Sequence, residues 1–380
     1  MRKHWKWLGA GLTALVVLAL ASAMPTSEAK KPDPKPPPEP PAPRVICFGQ
    51  WKGGGLDPTA LICTMDANGD NSFTVLQGGT LVSTSASWSP DGLWLGCYER
   101  EGVGEPPYDN AIFRVWPDGT HEQMVVSYTE IDAYNVGHDK MSLYDYGSGF
   151  GYLGGAAWGP DGYMLIGANV VYPRSSGQGY YLAGRMFRVH LESGVIEQYM
   201  DNPGTYSEGP GSYWQPWNKI VFGSDRNSIF FGDLFSLDPD DLEGNGLHQV
   251  TYLAEWPKMY GAALNRAGTE MALTMDTPGS PVGANTDLYL LLVGQDPDHP
   301  GHPIQLGAPI LLRGDPECQE NAVAWSPDDS QLLMNRSWPD GLKQIVVIDM
   351  TTEFPHSETI LAQSRKSLHA SDWCPVAPEP

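Results

Sequence analysis

Aromatic and acidic side chains are concentrated in one long segment, residues 127–153. Aromatic rings stack on sugars and on peptide side chains, and tyrosine adds a hydroxyl group that forms hydrogen bonds. The pattern predicts a binding surface for a peptide or a sugar; the alternative is that the rings only pack the segment onto its own scaffold. The candidate ligand-binding residues of the segment are Tyr128, Asp132, Tyr134, His138, Asp139, Tyr144 and Tyr146.

Two later stretches carry the same kinds of side chain, with arginines in the first of them. Binding residues are commonly found on variable loops that a rigid scaffold holds in place. We therefore expect these residues to extend the same surface. They are Tyr172, Arg174, Tyr181, Arg185, Trp256 and Tyr260.

Short motifs that mark common catalytic centres are absent from the sequence. It has no G-x-S-x-G nucleophile elbow, no H-E-x-x-H zinc motif and no P-loop. Its histidines are spread over different segments, so we interpret each of them as a surface or core residue. The sequence thus predicts no catalytic residue and favours a protein that is not an enzyme. An enzyme that uses the carboxylates and His138 of the long segment stays an alternative.

One acidic turn has the oxygen spacing of a calcium loop. Asp66, Asn68 and Asp70 occupy its first, third and fifth positions, but Gln77 stands at the twelfth, where a bidentate glutamate is needed. We predict no cofactor and no metal site, and keep these three residues as weak candidates for Ca²⁺.

The chain is strongly acidic, with 45 acidic against 23 basic residues and a formal charge of −22. Such a surface repels nucleic acid and anionic membranes. The charge is compatible with cationic proteins as partners. We expect a protein or peptide partner first and a polysaccharide second.

The five cysteines are an odd number and include no C-x-x-C pair. This argues against a disulfide framework and against a cysteine zinc site. Two alternatives are left for Cys47 and Cys374: one disulfide between them, or buried or free thiols.

The elements that position these residues are recognised from a recurring turn. The pattern W-S-P-D-G at residues 88–92 returns as W-G-P-D-G and W-S-P-D-D, each before an apolar run, and three looser copies lie between and after them. Proline and aspartate suit the central positions of a tight turn, and glycine suits its left-handed position. The six anchor residues, at intervals of 48 to 70, are Trp88, Trp158, Trp214, Leu264, Trp325 and Trp373.

Repeats of this length built from short strands predict propeller blades. The first blade has candidate strands at residues 45–48, 60–65 and 73–76 but lacks a first strand, and residues 368–373 form a first strand with almost nothing after it. We predict an all-β, six-bladed β-propeller that is closed by pairing of the N- and C-terminal strands in one blade. No segment shows a helical period over ten residues.

The sequence A-W-S-P-D followed by Leu332 and Leu333, and the stretch A-L-I-C-T-M-D-A-N-G-D-N at residues 60–71, resemble the repeat of TolB-like six-bladed β-propellers. The resemblance extends over about residues 44–376. It implies the fold but no single activity, because such propellers serve as binding platforms, as substrate gates on peptidases and as lyases.

The N-terminus resembles an export signal, with basic residues, an apolar core and the small residues A-S-A. We divide the chain into a signal peptide (1–23), a proline-rich disordered linker (24–43), the propeller (44–376) and a short tail (377–380). The protein is then exported to the periplasm, the cell surface or the medium. An uncleaved signal, which would tether it to a membrane, is the alternative.

Most insertions fall in the loops between the second and third strands of a blade and from the fourth strand to the next blade, which share one face of a propeller. We name it the long-loop face, and the opposite one the short-turn face. The sequence predicts a non-catalytic binding platform for a protein or peptide on the long-loop face. The alternative is a polysaccharide-acting lyase or hydrolase, or a carbohydrate-binding propeller, with its site on the same face.

Overall fold

The computed structural model describes ten stretches of the chain. They are residues 45–52, 59–77, 82–100, 110–142, 153–174, 179–201, 207–209, 211–227, 232–253 and 258–376. The expected signal peptide, linker and C-terminal tail lie outside these residues. No helix in the described stretches is long and apolar enough to cross a membrane.

The recurring turn forms as its residue types dictate. In the last complete copy, the Ser326 hydroxyl donates to the Asp328 carboxylate over 2.7 Å and accepts the Gln331 backbone N–H over 2.9 Å. Asp329 then takes a left-handed φ of 59°, and Gly92 takes the equivalent position in the first copy at 70°. Aspartate tolerates this conformation better than most residues, and glycine adopts it freely. Each turn therefore joins an inner strand to the next strand of its sheet.

The described strands form six antiparallel sheets arranged in a ring, which confirms the predicted six-bladed propeller. The strands of the first three blades are β1 (Ile46–Lys52), β2 (Thr59–Met65), β3 (Phe73–Gln77), β4 (Val82–Trp88), β5 (Leu95–Arg100), β6 (Asn110–Val115), β7 (Gln123–Ser127), β8 (Leu153–Trp158), β9 (Tyr163–Pro173), β10 (Tyr180–His190) and β11 (Ile196–Gln198).

The other three blades repeat this order, and the fifth carries one extra strand, Ile310–Arg313, which pairs with the third strand of that blade, Thr286–Gln295. Their strands are β12 (Ser212–Trp214), β13 (Lys219–Ser224), β14 (Asp233–Leu237), β15 (His248–Gln249), β16 (Met259–Leu264), β17 (Glu270–Asp276), β18 (Thr286–Gln295), β19 (Pro303–Gln305), β20 (Ile310–Arg313), β21 (Gln319–Trp325), β22 (Gln331–Ser337), β23 (Lys343–Asp349) and β24 (Ser357–Ser364). A 3₁₀ turn, Gln215–Trp217, follows β12.

The ring closes as predicted. The last strand, β25 (Leu368–Trp373), pairs with β1, with Ile46 opposite Trp373. Closure covers two strand edges that would otherwise be open to aggregation. Cys47 and Cys374 are buried free thiols in this blade, so they do not form the disulfide that the sequence left as an alternative.

All six anchor residues end the first strand of their blade, so they meet around the central channel on the short-turn face. There they line a cavity of about 690 Å³. Two of the tryptophans donate their indole N–H to the preceding blade: Trp158 to the Ser87 carbonyl at 3.0 Å and Trp325 to the Ala263 carbonyl at 2.9 Å. The anchors thus join neighbouring blades as well as starting each turn.

The structure adds one helix that the sequence pattern did not predict, α1 (Tyr128–Gly137). Ser127 caps it: its hydroxyl accepts the Glu130 backbone N–H, and the Glu130 carboxylate accepts the Ser127 backbone N–H over 2.8 Å. Tyr128 and Ile131 are completely buried under the neighbouring strands. Capping and packing therefore stabilise a segment with weak helical periodicity.

Candidate functional site

A cleft of about 570 Å³ opens on the long-loop face, where the third, fourth and fifth blades meet. Its walls come from the middle of β9 and β10, the loop before β12, β12 itself, the middle of β13 and the starts of β14 and β16. First strands begin at this face, so the loops that connect consecutive blades border the cleft. The lining residues used below are Gly184, Glu208, Gly209, Lys258, Tyr260 and Gly261.

Glycine forms much of the cleft wall. Gly209 and Gly261 both lack the left-handed φ that would require glycine, and a Cβ added to either would lie 3.6 Å and 3.8 Å from its nearest neighbour. Local packing therefore leaves room for a side chain at both positions. Without one, no side chain shields the backbone, and another molecule can approach it closely. The Gly209 N–H itself donates to the Gly223 carbonyl at 2.8 Å.

The rim of the cleft carries an aromatic and a cationic side chain. Tyr260 is 41% exposed, and the Lys258 ammonium group lies 4.9 Å from the centre of its ring. Partial burial and the nearby Asp276 carboxylate raise the pKa of Tyr260 to about 12. The phenol is therefore neutral at physiological pH and presents an uncharged ring for stacking.

Glu208 is held rigidly between two blades. Its backbone N–H donates to the Gly184 carbonyl at 3.1 Å, and it forms an isolated bridge with Ser224 of β13. Its side chain has no exposed surface, and one carboxylate oxygen is paired with Arg226 at 2.8 Å. The other oxygen, Oε2, has no hydrogen-bond partner within the described stretches.

Burial raises the pKa of the Glu208 carboxyl to about 7, against the opposing effect of the Arg185 and Arg226 guanidinium groups. Desolvation penalises the charged carboxylate more than these two cations stabilise it. The group therefore changes its protonation state near neutral pH, directly beneath the wall of the cleft.

A buried polar network lies beneath this region. The Arg185 side chain donates to the Tyr172 hydroxyl at 3.2 Å, and the same hydroxyl accepts the Gln198 amide N–H at 2.8 Å. Lys140 pairs with Asp201 at 2.9 Å and also reaches Gln198. Burial raises the pKa of Tyr172 to about 12. Tyr172 and Arg185 thus brace the long β9–β10 hairpin from the inside.

The candidate residues from the sequence fall into three groups. Tyr128, Asp132, Tyr172 and Arg185 are buried, as the packing alternative expects. Tyr134 stacks on His138 with ring centres 4.1 Å apart, and Tyr181 stacks on Tyr172; Asp139 and Arg174 are exposed, and Tyr260 lines the cleft. Tyr144, Tyr146 and Trp256 lie outside the described residues.

The sequence pattern did not predict Glu208, Lys258 or the glycines of the cleft as binding residues. Its candidates were aromatic side chains and the charged residues near them. The stretch S-E-G-P-G-S around Glu208 holds one charged residue among small ones, and this was the only signal that could have identified it.

The weak calcium candidates form a closed turn. Asp66 is buried and accepts the Asn71 side-chain amide at 2.9 Å, while the Asn68 side chain accepts the Asp70 backbone N–H at 3.0 Å. These oxygens therefore already hold the turn between β2 and β3. A calcium ion there stays an untested prediction.

No protein-family model matches the sequence, and no curated protein matches it. The structure is similar to the β-propeller domain of the Trilobed protease from Pyrococcus furiosus, at 11% identity over 84% of this chain and 93% of that one, with a TM-score of 0.46. It is also similar to putative TolB from Agrobacterium tumefaciens, at 15% identity over 73% and 86%, with a TM-score of 0.41.

A prolyl endopeptidase matches 86% of this chain at 10% identity, with a TM-score of 0.44, and this chain spans 43% of its length. These proteins have different activities, and the likeness to them is too distant to select one. The blade order and ring closure of its own strands identify the chain as a six-bladed β-propeller.

Proposed function

We propose that this protein is an exported, non-catalytic platform that binds an extended segment of a protein or peptide in the cleft of the long-loop face. The glycine-lined wall supports this, because Gly209 and Gly261 leave the backbone unshielded where packing would accept a side chain. An extended segment can therefore lie close against this wall, because no side chain holds it away.

Two further features support a peptide as the ligand. The exposed ring of Tyr260 offers a stacking surface at the rim, and aromatic residues frequently contribute much of the energy of an interface. The formal charge of −22 attracts a cationic segment and speeds its association at low salt. Export to the periplasm, cell surface or medium is part of the proposal and rests on the N-terminal pattern.

The test is selection of peptides from a random displayed library, followed by affinity measurements on three variants. Gly261→Val narrows the cleft and Tyr260→Ala removes the stacking ring, so both are expected to weaken the selected peptides at least tenfold. Gly137→Ala, at the exposed end of α1 where an added Cβ meets nothing within 4 Å, is the matched control. Equal binding to all variants would reject the cleft as the site.

A second candidate function, an enzyme that acts on a polysaccharide, is favoured by one observation. Glu208 lies under the same cleft with a pKa of about 7, close to the working pH of a general acid or base. Its buried side chain would have to become accessible to a substrate before it could act. Incubation with a panel of acidic and neutral polysaccharides, with wild type and Glu208→Gln compared, separates the two functions. Cleavage that is lost in the variant would replace the binding proposal.

A further inference from the structure

We propose that His248, Asp296 and His299 form a binding site for one divalent transition-metal ion of the Zn²⁺ class, on the outer rim between the fourth and fifth blades. His248 opens the outer strand β15 of the fourth blade. Asp296 and His299 belong to the turn that joins β18 to β19 in the fifth blade. This turn lies on the short-turn face, so the site is separate from the cleft.

The three potential ligand atoms are already close together. Asp296 Oδ2 lies 3.1 Å from His248 Nε2 and 3.0 Å from His299 Nδ1. All three atoms are within 4.8 Å of one another. Zinc bonds of about 2.0–2.2 Å place neighbouring ligand atoms roughly 3.3 Å apart in a tetrahedral site. Small side-chain adjustments are therefore enough to admit an ion.

His248 provides an independent observation. The residue is only 9% exposed, and its Nε2 atom has no hydrogen-bond partner within the described stretches although Asp296 Oδ2 is 3.1 Å away. The two atoms are near each other without the alignment of a hydrogen bond. A buried nitrogen left in this way is unfavourable, and a cation between the two groups would give His248 Nε2 a partner. It would take the place of the hydrogen bond that Asp296 Oδ2 now accepts from His299 Nδ1 at 3.0 Å.

The turn that carries Asp296 is braced by its own backbone. The Asp298 backbone N–H donates to Asp296 Oδ1 at 2.8 Å, which leaves Oδ2 for the cluster. The Asp296 backbone N–H donates to the His302 carbonyl at 2.9 Å, and the His302 N–H to the His299 carbonyl at 3.1 Å. The His302 ring, centred 4.8 Å from that of His248, packs beside the three ligands. The Asp298 N–H thus orients the Asp296 carboxylate, as hydrogen bonds to metal-binding carboxylates do elsewhere.

The donor set selects the metal. Two imidazole nitrogens and one carboxylate oxygen suit Zn²⁺ and its first-row neighbours better than Ca²⁺ or Mg²⁺, which prefer oxygen ligands. The His299 side chain is 62% exposed, so a water molecule can complete the coordination. The nearby Lys219 ammonium group is paired with Asp238 at 2.5 Å, so its charge is balanced. A bound ion would join the two blades.

The test uses the full chain, without an affinity tag, after treatment with a chelator. Calorimetric titration with Zn²⁺ is expected to give one ion per chain, and Co²⁺ in its place is expected to give the visible absorption of a four- or five-coordinate site. In other metal sites, loss of a residue that hydrogen-bonds to a ligand lowers metal affinity about 10–100-fold. Loss of a ligand itself, in His299→Ala or Asp296→Asn, should therefore lower the Zn²⁺ affinity by more than about 100-fold. His121→Ala, at an exposed histidine of another blade, is the control.

His299 is largely exposed, so its loss is not expected to unfold the protein, and a circular dichroism melt checks this for each variant. Zn²⁺ should raise the melting temperature of wild type and of His121→Ala but not of His299→Ala. A wild type that binds no Zn²⁺, or variants that bind it as tightly as wild type, would overturn the proposal. Peptide affinity at the cleft is measured on the same variants and is expected to stay unchanged.

Discussion

The buried carboxyl of Glu208 makes the stability of the protein depend on pH. Its pKa is about 7 in the folded chain against an ordinary value of 4.5, so between these values the folded chain holds a proton that the unfolded chain releases. This contribution to stability is complete below about pH 4.5 and is lost as the pH rises through 7. At 1.36 kcal/mol for each tenfold change, it amounts to roughly 3 kcal/mol.

The perturbation is Glu208→Gln, which keeps the shape of the side chain and removes its titration. Urea unfolding between about pH 4.5 and 8 measures the free energy of unfolding of both proteins. Wild type should lose roughly 3 kcal/mol relative to the variant as the pH rises across this range. The variant also loses the ion pair with Arg226, which displaces its curve vertically but does not change the shape of the difference.

A second variant tests whether the effect is local. Burial raises the pKa of Asp372 to about 6. Asp372→Asn should therefore remove a different part of the pH dependence of stability, one that is complete about one pH unit below that of Glu208. The pH ranges over which the two variants differ from wild type should be distinct, because each carboxyl responds to its own burial. Parallel pH curves for wild type and Glu208→Gln would refute the reasoning, because a buried carboxyl with the ordinary pKa cannot be penalised by desolvation.

Two further predictions concern contacts between blades. Trp325→Phe removes the indole N–H that bonds to the Ala263 carbonyl, and should lower the free energy of unfolding by about 1–3 kcal/mol in urea titration; an unchanged midpoint would contradict a stabilising bond there. Gly119→Ala should destabilise more than Gly194→Ala, although both have φ near 75°, because its Cβ would lie 2.6 Å from the Val75 carbonyl oxygen of the neighbouring blade. Equal melting temperatures for these two variants would show that the neighbouring blade accommodates the added methyl group at no cost in stability.

The sequence predicted the fold well because its signal is local and repeated. Each copy of the turn is specified by adjacent residues, as the left-handed φ of Gly92 and Asp329 illustrates. The missing first strand at one end and the surplus first strand at the other were enough to predict closure between β1 and β25. The helix α1 was missed because its stability comes from the Ser127 cap and from burial of Tyr128, and neither produces a periodic pattern.

The candidate site was harder to predict because its properties arise between distant segments. Glu208 has a raised pKa only because strands from two blades bury it, and the sequence around it gives no hint of that burial. Tyr172 has the residue type of a ligand contact, yet the network with Arg185 and Gln198 turns it inward. Chemical type can be read from sequence, whereas the direction a side chain faces depends on packing that the sequence does not display.

The two faces of the ring differ in the size of their side chains, and we expect one face to contribute mainly to stability and the other mainly to binding. On the short-turn face, the six first strands end in five tryptophans and one leucine, which surround the cavity. Trp158 and Trp325 join neighbouring blades through their indole N–H groups. On the long-loop face, Gly209 precedes one first strand and Gly261 lies near the start of another, and both leave space unfilled. Changes at distant, independent positions have additive effects. Substitutions at the anchors should therefore alter the melting temperature, and substitutions at the glycines should alter affinity. Trp214 is the exception, because it also lines the cleft, and its substitution should alter both.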